Sequence, residues 1–343
     1  MKNTIITIDL ATTVFELAIA NPQYRITQRQ RLDRDTFRQF IHEQAPALLV
    51  MEACGSAHHW GRLFREWGHE VLLLPAQYVR PYRRRNKTDR TDCEALLEAY
   101  RCEGIKPVAV KSVEQQELQQ MHRLREQWKR TKVARMNFLR GVFREQGIPL
   151  PASDREALRE ANLHVEQLSL LSLYMLRPLM QELETLETHM VELEQQIIHA
   201  TRQNETVANL QTIPGIGLLT STALVAAVGK PEQFQSARQF ASWLGITPRE
   251  SSSGNRRFLG SITKQGSTYL RTLLVHGARS ALLAAKRQAK SGKPLGRLQE
   301  WAVKLEQRSG HNKTAVALAN KLARIVWACW KSGKPYQAGY CPA

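Results

Sequence analysis

The sequence lacks any apolar run of the ~18 residues that a transmembrane helix needs, although 43% of its 343 residues are apolar. Its opening, MKNTIITIDLATT, has an early aspartate and no long apolar stretch, so it does not predict a signal peptide. The five cysteines are odd in number and scattered, which is typical of reduced thiols rather than of a disulfide framework. We therefore expect a cytoplasmic protein.

Acidic residues are also scarce, since 31 Asp and Glu stand against 49 Lys and Arg, for a net charge of +18. A charge of this size predicts attraction to a polyanion, and nucleic acid is the leading candidate. A basic surface kept only for solubility is the weaker alternative. The chain lacks a G-x-x-x-x-G-K-[ST] phosphate loop as well, so we do not expect chemistry driven by ATP.

The first hundred residues alternate between short apolar runs and helical patterns. Residues 4–20 predict two strands in a hairpin, and residues 47–53 and 70–75 predict short buried strands. Helical spacing covers residues 34–44 and 58–68. Strands that alternate with helices indicate an α/β layer, and the opening hairpin makes its sheet mixed.

Residues 113–146 predict one long amphipathic helix with a basic face that suits a phosphate backbone. An ordinary solvated face remains an equally good interpretation for any single residue. The face consists of His122, Arg123, Arg125, Lys129, Arg130, Lys132, Arg135, Arg140 and Arg144.

A second long helix is predicted over residues 163–200. Its apolar residues follow the spacing of a heptad seam and are flanked by glutamates, which disfavours contact with nucleic acid. The seam should pair with another helix, either in the same chain or in a second copy, and we expect the segment 176–197 to mediate self-association. The seam residues are Leu179, Leu183, Leu186, Met190, Leu193 and Ile197.

From residue 204 the pattern changes to short helices separated by glycine turns. Residues 212–229 resemble a helix-hairpin-helix motif, in which Gly215 and Gly217 allow a tight turn before a helix N-terminus that can face a phosphate. Residues 247–267 predict a flexible basic loop, and residues 268–285 predict a buried helix.

Four acids of the first region are candidates for one metal site. Asp9 and Glu52 end predicted strands, while Asp89 and Asp92 open a predicted helix about one turn apart. Clustered carboxylates repel one another, and a hard cation such as Mg²⁺ removes that cost. For Asp89 alone, a role as a helix N-cap is the alternative. A cationic run beside the acids would hold the polyanion and comprises Arg83, Arg84, Arg85 and Lys87.

The second candidate site is the serine-rich loop, where Ser251, Ser252 and Ser253 precede Gly254. Serines in a loop usually indicate flexibility only. A hydroxyl surrounded by cations is also what attack on a phosphodiester requires, because the cations stabilise the developing negative charge. The surrounding cations are Arg249, Arg256, Arg257 and Lys264.

Several blocks occur in one order: TIDLATTVFELA, MEACGSAHHWGR, RNKTDRTDCEALLEA, IPGIGLLTSTALVAAVG, QFASWLGITPRESSSG and ITKQGSTYLRTLLVHGAR. Together, over roughly residues 4–285, they resemble the DEDD transposases of the bacterial IS110 family, within its IS1111 branch.

The resemblance implies three parts. Residues 1–158 would form a RuvC-like domain of the RNase H type that includes the helix 113–146. Residues 159–203 would form a coiled-coil segment, and residues 204–343 a mainly helical transposase domain with the serine loop 247–267.

It also implies the chemistry. Asp9, Glu52, Asp89 and Asp92 would bind Mg²⁺, and Ser253 would be the nucleophile, with Ser252 as the fallback. The protein would recombine target and donor DNA under the guidance of an element-encoded bridge RNA in the bacterial cytoplasm, associated with the nucleoid. It would act as a tetramer of two dimers, with each active site shared between subunits.

Two other functions remain possible at this point. A RuvC-type structure-specific nuclease would cut with metal-activated water and leave the serines inert. A non-catalytic nucleic-acid-binding protein would use the basic helix and the helix-hairpin-helix motif alone, but acids at two strand ends argue against it.

Overall fold

The computed structural model describes residues 4–83, 89–254 and 256–338, without the side chains of residues 89 and 90. The chain divides into two compact units, Met1–Glu114 and Gln115–Ala343. The long helix that begins near this boundary falls almost wholly in the second unit, whereas the predicted RuvC-like domain included it. The predicted domain limits remain a proposal.

The first unit is a five-stranded mixed sheet covered by helices on both faces. Its strands follow the order β3-β2-β1-β4-β5, in which β1 pairs antiparallel with β2 and parallel with β4. The predicted hairpin and mixed sheet are confirmed. The elements are β1 (Ile5–Asp9), β2 (Val14–Ala20), β3 (Ile26–Asp33), α1 (Arg34–Glu43), β4 (Leu48–Glu52), α2 (Ala57–Glu66), β5 (Glu70–Leu74), α3 (Ala76–Val79) and α4 (Asp89–Arg101).

Alternation along the strands gives the sheet two separate cores. Ile6 and Ile8 of β1 point to the face that carries α1 and α2, where Trp60 is buried. Ile5 of β1 and Val50 of β4 point to the opposite face, which α4 covers. Side chains at odd positions of β1 and even positions of β4 therefore face α4.

Strand β3 was not predicted from the sequence. Its residues, ITQRQRLD, are mostly polar and partly exposed, because β3 lies at the edge of the described sheet beside β2. An apolar pattern, the main signal for a strand, is therefore missing.

The second unit is mainly helical, with one small hairpin. Its elements are α5 (Val113–Glu145), α6 (Asp154–His164), α7 (Leu170–Thr201), α8 (Glu205–Gln211), α9 (Leu218–Val228), α10 (Ala237–Trp243), β6 (Pro248–Glu250), β7 (Leu259–Ile262), α11 (Thr268–Lys290), α12 (Arg297–Ser309) and α13 (His311–Ser332). In the described part of the chain, no helix is long and apolar enough to cross a membrane.

Helices α5 and α7 pack antiparallel, and the heptad seam is buried in this pairing. Leu183 is fully buried in a core with Met136 and Leu139 of α5 and Ala161 of α6. The structure supplies a partner for the seam within the same chain, so the buried Leu179, Leu183, Leu186 and Ile197 are not available for self-association. Self-association through the rest of the segment 176–197 stays a prediction. Helix α7 also begins at Leu170 rather than at residue 163, since α6 precedes it.

The basic face predicted for α5 is partly neutralised by the same pairing. Ion pairs join Arg125 to Glu194 at 2.6 Å and Arg135 to Glu182 at 2.9 Å, and Lys132 pairs with Glu187. The basic face of α5 meets the acidic face of α7, and the paired cations are therefore not available to a phosphate backbone. Exposed cations without an ion pair among the described residues remain on α5 at Arg123, Lys129 and Arg144.

His122 does not belong to the basic face and is buried between helices. Its Nδ1 lies 3.0 Å from the hydroxyl of Tyr269, and its Nε2 lies 3.0 Å from Oγ1 of Thr222. Because Thr222 donates its own proton to the carbonyl oxygen of Leu218, Nε2 must be the donor and Nδ1 the acceptor. Burial lowers the pKa of His122 to about 4, so the ring is neutral at pH 7.

Helices α8 and α9 flank the predicted glycine turn. Gly215 has a φ of 89°, which favours glycine, and it packs directly on Gly277 of α11. A Cβ at Gly277 would overlap the carbonyl oxygen of Gly215. The backbones of the glycine turn and of α11 are therefore in direct contact. Helices α9, α11 and α13 enclose the hydrophobic core of this part of the second unit.

Candidate active site

Asp9 and Glu52 lie at the carboxyl ends of neighbouring parallel strands. Ile8 of β1 pairs with Met51 of β4, so the next residues, Asp9 and Glu52, are adjacent. Both follow the alternation that directs side chains to the α4 face. The sheet therefore brings these two predicted acids together.

Asp92 approaches the same place from the first turn of α4. The next residue, Cys93, donates its thiol hydrogen to the carbonyl oxygen of Glu16, 3.2 Å away, which fixes this turn against the sheet. The Asp92 side chain is only 8% exposed. Glu16 lies directly across from Asp9 on β2 and so faces α4 too. Sequence reasoning missed Glu16, which only the antiparallel register with β1 could have revealed.

Arg83 joins two of the predicted metal ligands. Its Nη2 donates to Oε2 of Glu52 at 2.7 Å, and its Nε lies 3.1 Å from Oδ1 of Asp92. Both atoms of the second contact are buried, yet neither makes a hydrogen bond. The Nε–H of Arg83 is therefore poorly aligned with Oδ1 of Asp92. In this structure Arg83 neutralises the acid cluster, and its predicted contact with nucleic acid stays a prediction.

Four other predicted site residues lie outside what the structure describes. Arg84, Arg85 and Lys87 fall between residues 83 and 89, and the side chain of Asp89 is not described. The alternatives for Asp89, a metal ligand or a helix cap, therefore both remain. Asp89 is the first residue of α4, one turn before Asp92, as predicted.

The donor set fits a hard cation. Among the described residues no three His, Cys, Asp or Glu side chains are close enough together to hold a metal ion. Yet Glu52 and Asp92 share a cation in Arg83, and one buried oxygen of Asp92 lacks an aligned hydrogen bond. Carboxylate oxygens are the ligands that Mg²⁺ prefers, and such an oxygen is costly unless a cation satisfies it.

Cys93 is excluded as a nucleophile at this site. Burial, with the nearby charges of Asp9 and Glu16, raises the pKa of the Cys93 thiol to about 12. The thiolate is the reactive form of cysteine, so the residue is inert near neutral pH. Its role is to pack α4 on the sheet.

The serine segment contains a two-stranded hairpin, where the sequence predicted a loop over residues 247–267 without strands. Strands β6 and β7 pair antiparallel, and Ser253 and Arg256 exchange two backbone hydrogen bonds of 3.2 Å at the tip. Gly254 has a φ of 56°, which permits the tight reversal. The three serines therefore lie on the strand that leads to the hairpin tip.

Ser252 and Ser253 differ in the face of the hairpin to which they point and in their hydrogen bonds. The Ser252 hydroxyl donates to Oε1 of Glu250 at 2.9 Å and accepts from the backbone N–H of Phe258 at 3.3 Å. Hydrogen bonds from Ser252 and Arg257 hold the pKa of Glu250 below its usual value. Ser253 points to the opposite face of the hairpin, and its hydroxyl has no hydrogen bond within the described residues.

The four cations predicted around the serines differ in how they are engaged. Arg257 pairs with Glu250 at 3.1 Å, and Arg249 donates to the carbonyl oxygen of Thr263 at 3.4 Å. The side chains of Arg256 and Lys264 are exposed and have no partner in the described part of the chain. Arg256 lies directly opposite Ser253 in the hairpin, so its unpaired guanidinium group is beside that serine.

These features define a class of protein: a mixed-sheet unit with carboxylates at strand ends, followed in the same chain by a basic, mainly helical unit. Residues 6–147 match the DEDD transposase family model of the IS110 group, and residues 207–292 match the family model described as "Transposase IS116/IS110/IS902 family".

The chain belongs to the IS110 family of insertion-sequence transposases. It is 40% identical to a probable family 20 transposase of Pseudomonas aeruginosa, across 97% of this chain and 98% of the relative. It is 33% identical to the transposase for insertion sequence element IS1111A of Coxiella burnetii, across 98% and 92%. It is also 26% identical to a pilin gene-inverting protein of Moraxella bovis, across 98% of both chains.

Proposed function

We propose that the protein cuts and rejoins DNA through a covalent ester between Ser253 and the cleaved strand. Family membership supplies DNA as the substrate. The observation that carries the serine step is the contrast at the hairpin tip. Ser253 is exposed, has a hydroxyl without a hydrogen bond in the described residues and lies beside the unpaired Arg256, whereas Ser252 is bonded on both sides.

In this reaction Oγ of Ser253 forms a bond to the phosphorus as the bond from phosphorus to one deoxyribose oxygen breaks. The serine proton ends on the released oxygen. Attack by the hydroxyl of another strand reverses the step and frees the serine. The ester conserves the bond energy, so rejoining needs no ATP. Arg256 and Lys264 would stabilise the charge that develops on the phosphate.

Asp9, Glu52, Asp89 and Asp92 would hold Mg²⁺, which when bound would stabilise negative charge on a phosphate oxygen. Support comes from the DEDD family match and from the carboxylates gathered at the strand ends. Arg83 would have to release Glu52 and Asp92 for all four acids to serve as ligands.

We extend the proposal to guidance by an element-encoded RNA and to assembly of two dimers into a tetramer. The resemblance to the IS1111 branch and the net charge of +18 support it. Each active site would then combine the acids of one subunit with Ser253 of another.

A denaturing gel that detects protein joined to labelled DNA tests the serine step. We expect an adduct from the native protein with element DNA and element RNA, and none from Ser253→Ala, which should still bind both. Ser252→Ala is the matched control, because it removes a neighbouring hydroxyl whose role is to tie Glu250 to Phe258; its adduct should be reduced but present.

Two outcomes would change the proposal. An undiminished adduct in Ser253→Ala would move the nucleophile to Ser252 or Ser251. Cleavage by the native protein without any adduct would favour the second candidate, a RuvC-type nuclease that uses the carboxylates and metal-activated water. Dependence on the added RNA separates guided from unguided cleavage in the same assay.

A further inference from the structure

The positive charge of the chain is concentrated at its C-terminal end. From residue 268 onward the sequence has fourteen Lys and Arg and two acids, Glu300 and Glu306. Fourteen minus two gives +12 of the total +18 in about a fifth of the chain. This segment comprises α11, α12 and α13, and much of it lies beyond the matched transposase model, which ends at residue 292.

Most of these cations make no ion pair with the described residues. Glu306 is used by Lys286 at 3.0 Å and by His311 at 2.9 Å, while Glu300 makes no ion pair in the described residues. This differs from α5, whose cations pair with the glutamates of α7. The exposed cations for which the described residues provide no ion pair are Arg287, Lys290, Lys293, Arg297, Lys304, Arg308, Lys313, Arg324, Lys331 and Lys334.

Three of them form a stripe along α12. Arg297, Lys304 and Arg308 are seven and four residues apart, so at 100° per residue they lie within about 40° of one another around the helix axis. The buried Ala302 and the paired Glu306 occupy the other side of α12, which packs on the core. The stripe therefore faces solvent and extends for about 16 Å.

A second group of cations continues this surface at the turn between α11 and α12. Gln288 of α11 contacts Gln299 of α12 at 2.9 Å and also donates to the carbonyl oxygen of Pro294. These bonds hold the end of α11 against the start of α12. Arg287, Lys290 and Lys293 consequently lie around the turn that leads into the stripe.

We propose that the stripe Arg297, Lys304 and Arg308, extended by the α11–α12 turn, is a docking surface for the phosphate backbone of duplex DNA. A row of unpaired cations on one helix face matches the dense, regular charge of a duplex. Contacts to phosphates position a protein without reading bases. The surface would hold DNA whatever chemistry occurs elsewhere.

The absence of stacking groups favours a duplex over an unpaired strand. Proteins that bind single strands present exposed aromatic rings on which bases stack. Among the described residues after 268 no aromatic side chain is exposed, since Trp330 is buried and the others are partly buried. Lys321 also covers Trp301, with its Nζ 4.2 Å from the ring centre. Leu283 is the one large apolar side chain that is exposed there.

The test is the salt dependence of binding to a short duplex of arbitrary sequence, measured by fluorescence anisotropy. In a Ser253→Ala background, the triple variant Arg297→Ala/Lys304→Ala/Arg308→Ala should lower the slope of log K against log salt by about 2.7, or about 0.9 per lost phosphate contact. The Ser253→Ala background removes the proposed chemistry, so this result is independent of the serine mechanism.

The control is Arg130→Ala/Arg135→Ala/Arg177→Ala, which removes the same charge from exposed residues paired with glutamates. Its slope should change by less than one. The variant Arg297→Lys/Arg308→Lys keeps the charges and should retain the native slope, which would attribute the effect to charge rather than to the shape of the side chains. Equal slope changes in stripe and control, no change in either, or a loss confined to structured RNA would overturn the proposal.

Discussion

At the scale of single residues, Arg83 predicts how the acid cluster responds to mutation. Arg83→Ala leaves Glu52 and the nearly buried Asp92 without their shared cation. Without divalent metal we expect the free energy of unfolding to fall by about 1–3 kcal/mol, the usual cost of an unsatisfied buried polar group. Added Mg²⁺ should recover most of the loss. Urea unfolding with and without Mg²⁺ measures both effects.

The control for this prediction is Arg38→Ala, which removes an exposed cation of α1 and should change stability by less than about 0.5 kcal/mol. If Mg²⁺ leaves the Arg83→Ala defect untouched, the metal is bound elsewhere and the assignment of Glu52 and Asp92 as ligands fails.

His122 predicts a specific pH dependence of stability. Its pKa is about 4 when folded and about 6.5 when unfolded, so between these values the unfolded chain binds more protons. Stability from this group is therefore complete above pH 6.5 and is lost as the pH falls towards 4, by roughly 3 kcal/mol in total. Protonation of Nδ1 would also remove the acceptor for Tyr269.

Chemical denaturation of the native protein and His122→Gln, compared at pH 7 and pH 5, checks this dependence. Glutamine is neutral at both values, so the difference in unfolding free energy between the two proteins should shrink at pH 5. A difference that is the same at both values would show that His122 does not carry the titration.

At the scale of elements, the pairing of α5 with α7 makes the seam a determinant of folding. Leu183 is fully buried between α5, α6 and α7. Leu183→Ala should lower the free energy of unfolding by about 2–5 kcal/mol through the cavity that it leaves. Val191→Ala, on the exposed side of the same helix, should cost under about 1 kcal/mol. Light scattering of both variants, freed of nucleic acid, should show the same oligomer as the native protein.

A change of oligomer in Leu183→Ala, with stability unaffected, would restore the original interpretation of the seam as a contact between copies. Periodicity in the sequence identified the buried face of α7 correctly, because the spacing depends only on the helix. It did not identify the partner, because α5 offers a matching apolar face from a distant part of the chain.

In the candidate active site, too, the sequence indicated which residues need a partner but not which residue the partner is. Asp9 and Glu52 were predictable, since an acid that ends an apolar strand needs a partner, and the strands that carry them were recognisable. Arg83 as their counter-ion was not, because its run of arginines resembles a surface for phosphate. The serine hairpin was also missed, because its strands lack the buried apolar residues that mark a strand in a sequence. All of their residues are exposed except Ile262, which is partly buried.

At the scale of the whole molecule, the proposed metal-binding acids and the basic residues of the proposed DNA surface are different residues, so DNA cleavage and DNA binding should separate experimentally. Removal of divalent metal with EDTA should abolish strand cleavage, because the carboxylates would lose the cation that they share. DNA binding, measured by anisotropy, should remain within about twofold, because the basic residues are unchanged. Glu52→Ala should reproduce the effect of EDTA, and recombination that persists in EDTA would contradict the metal assignment.

The contact between Gly215 and Gly277 fixes the position of α11 at one point along its length. The helix has 23 residues, and Gly277 lies about 13 Å from the end that follows the serine hairpin and about 20 Å from the end that leads to α12. Two backbones in contact leave no space for a side chain between them. A methyl group at residue 277 would therefore push α11 away from the turn. Because one helix joins the serine hairpin to the α11–α12 turn, that displacement would reach both of them.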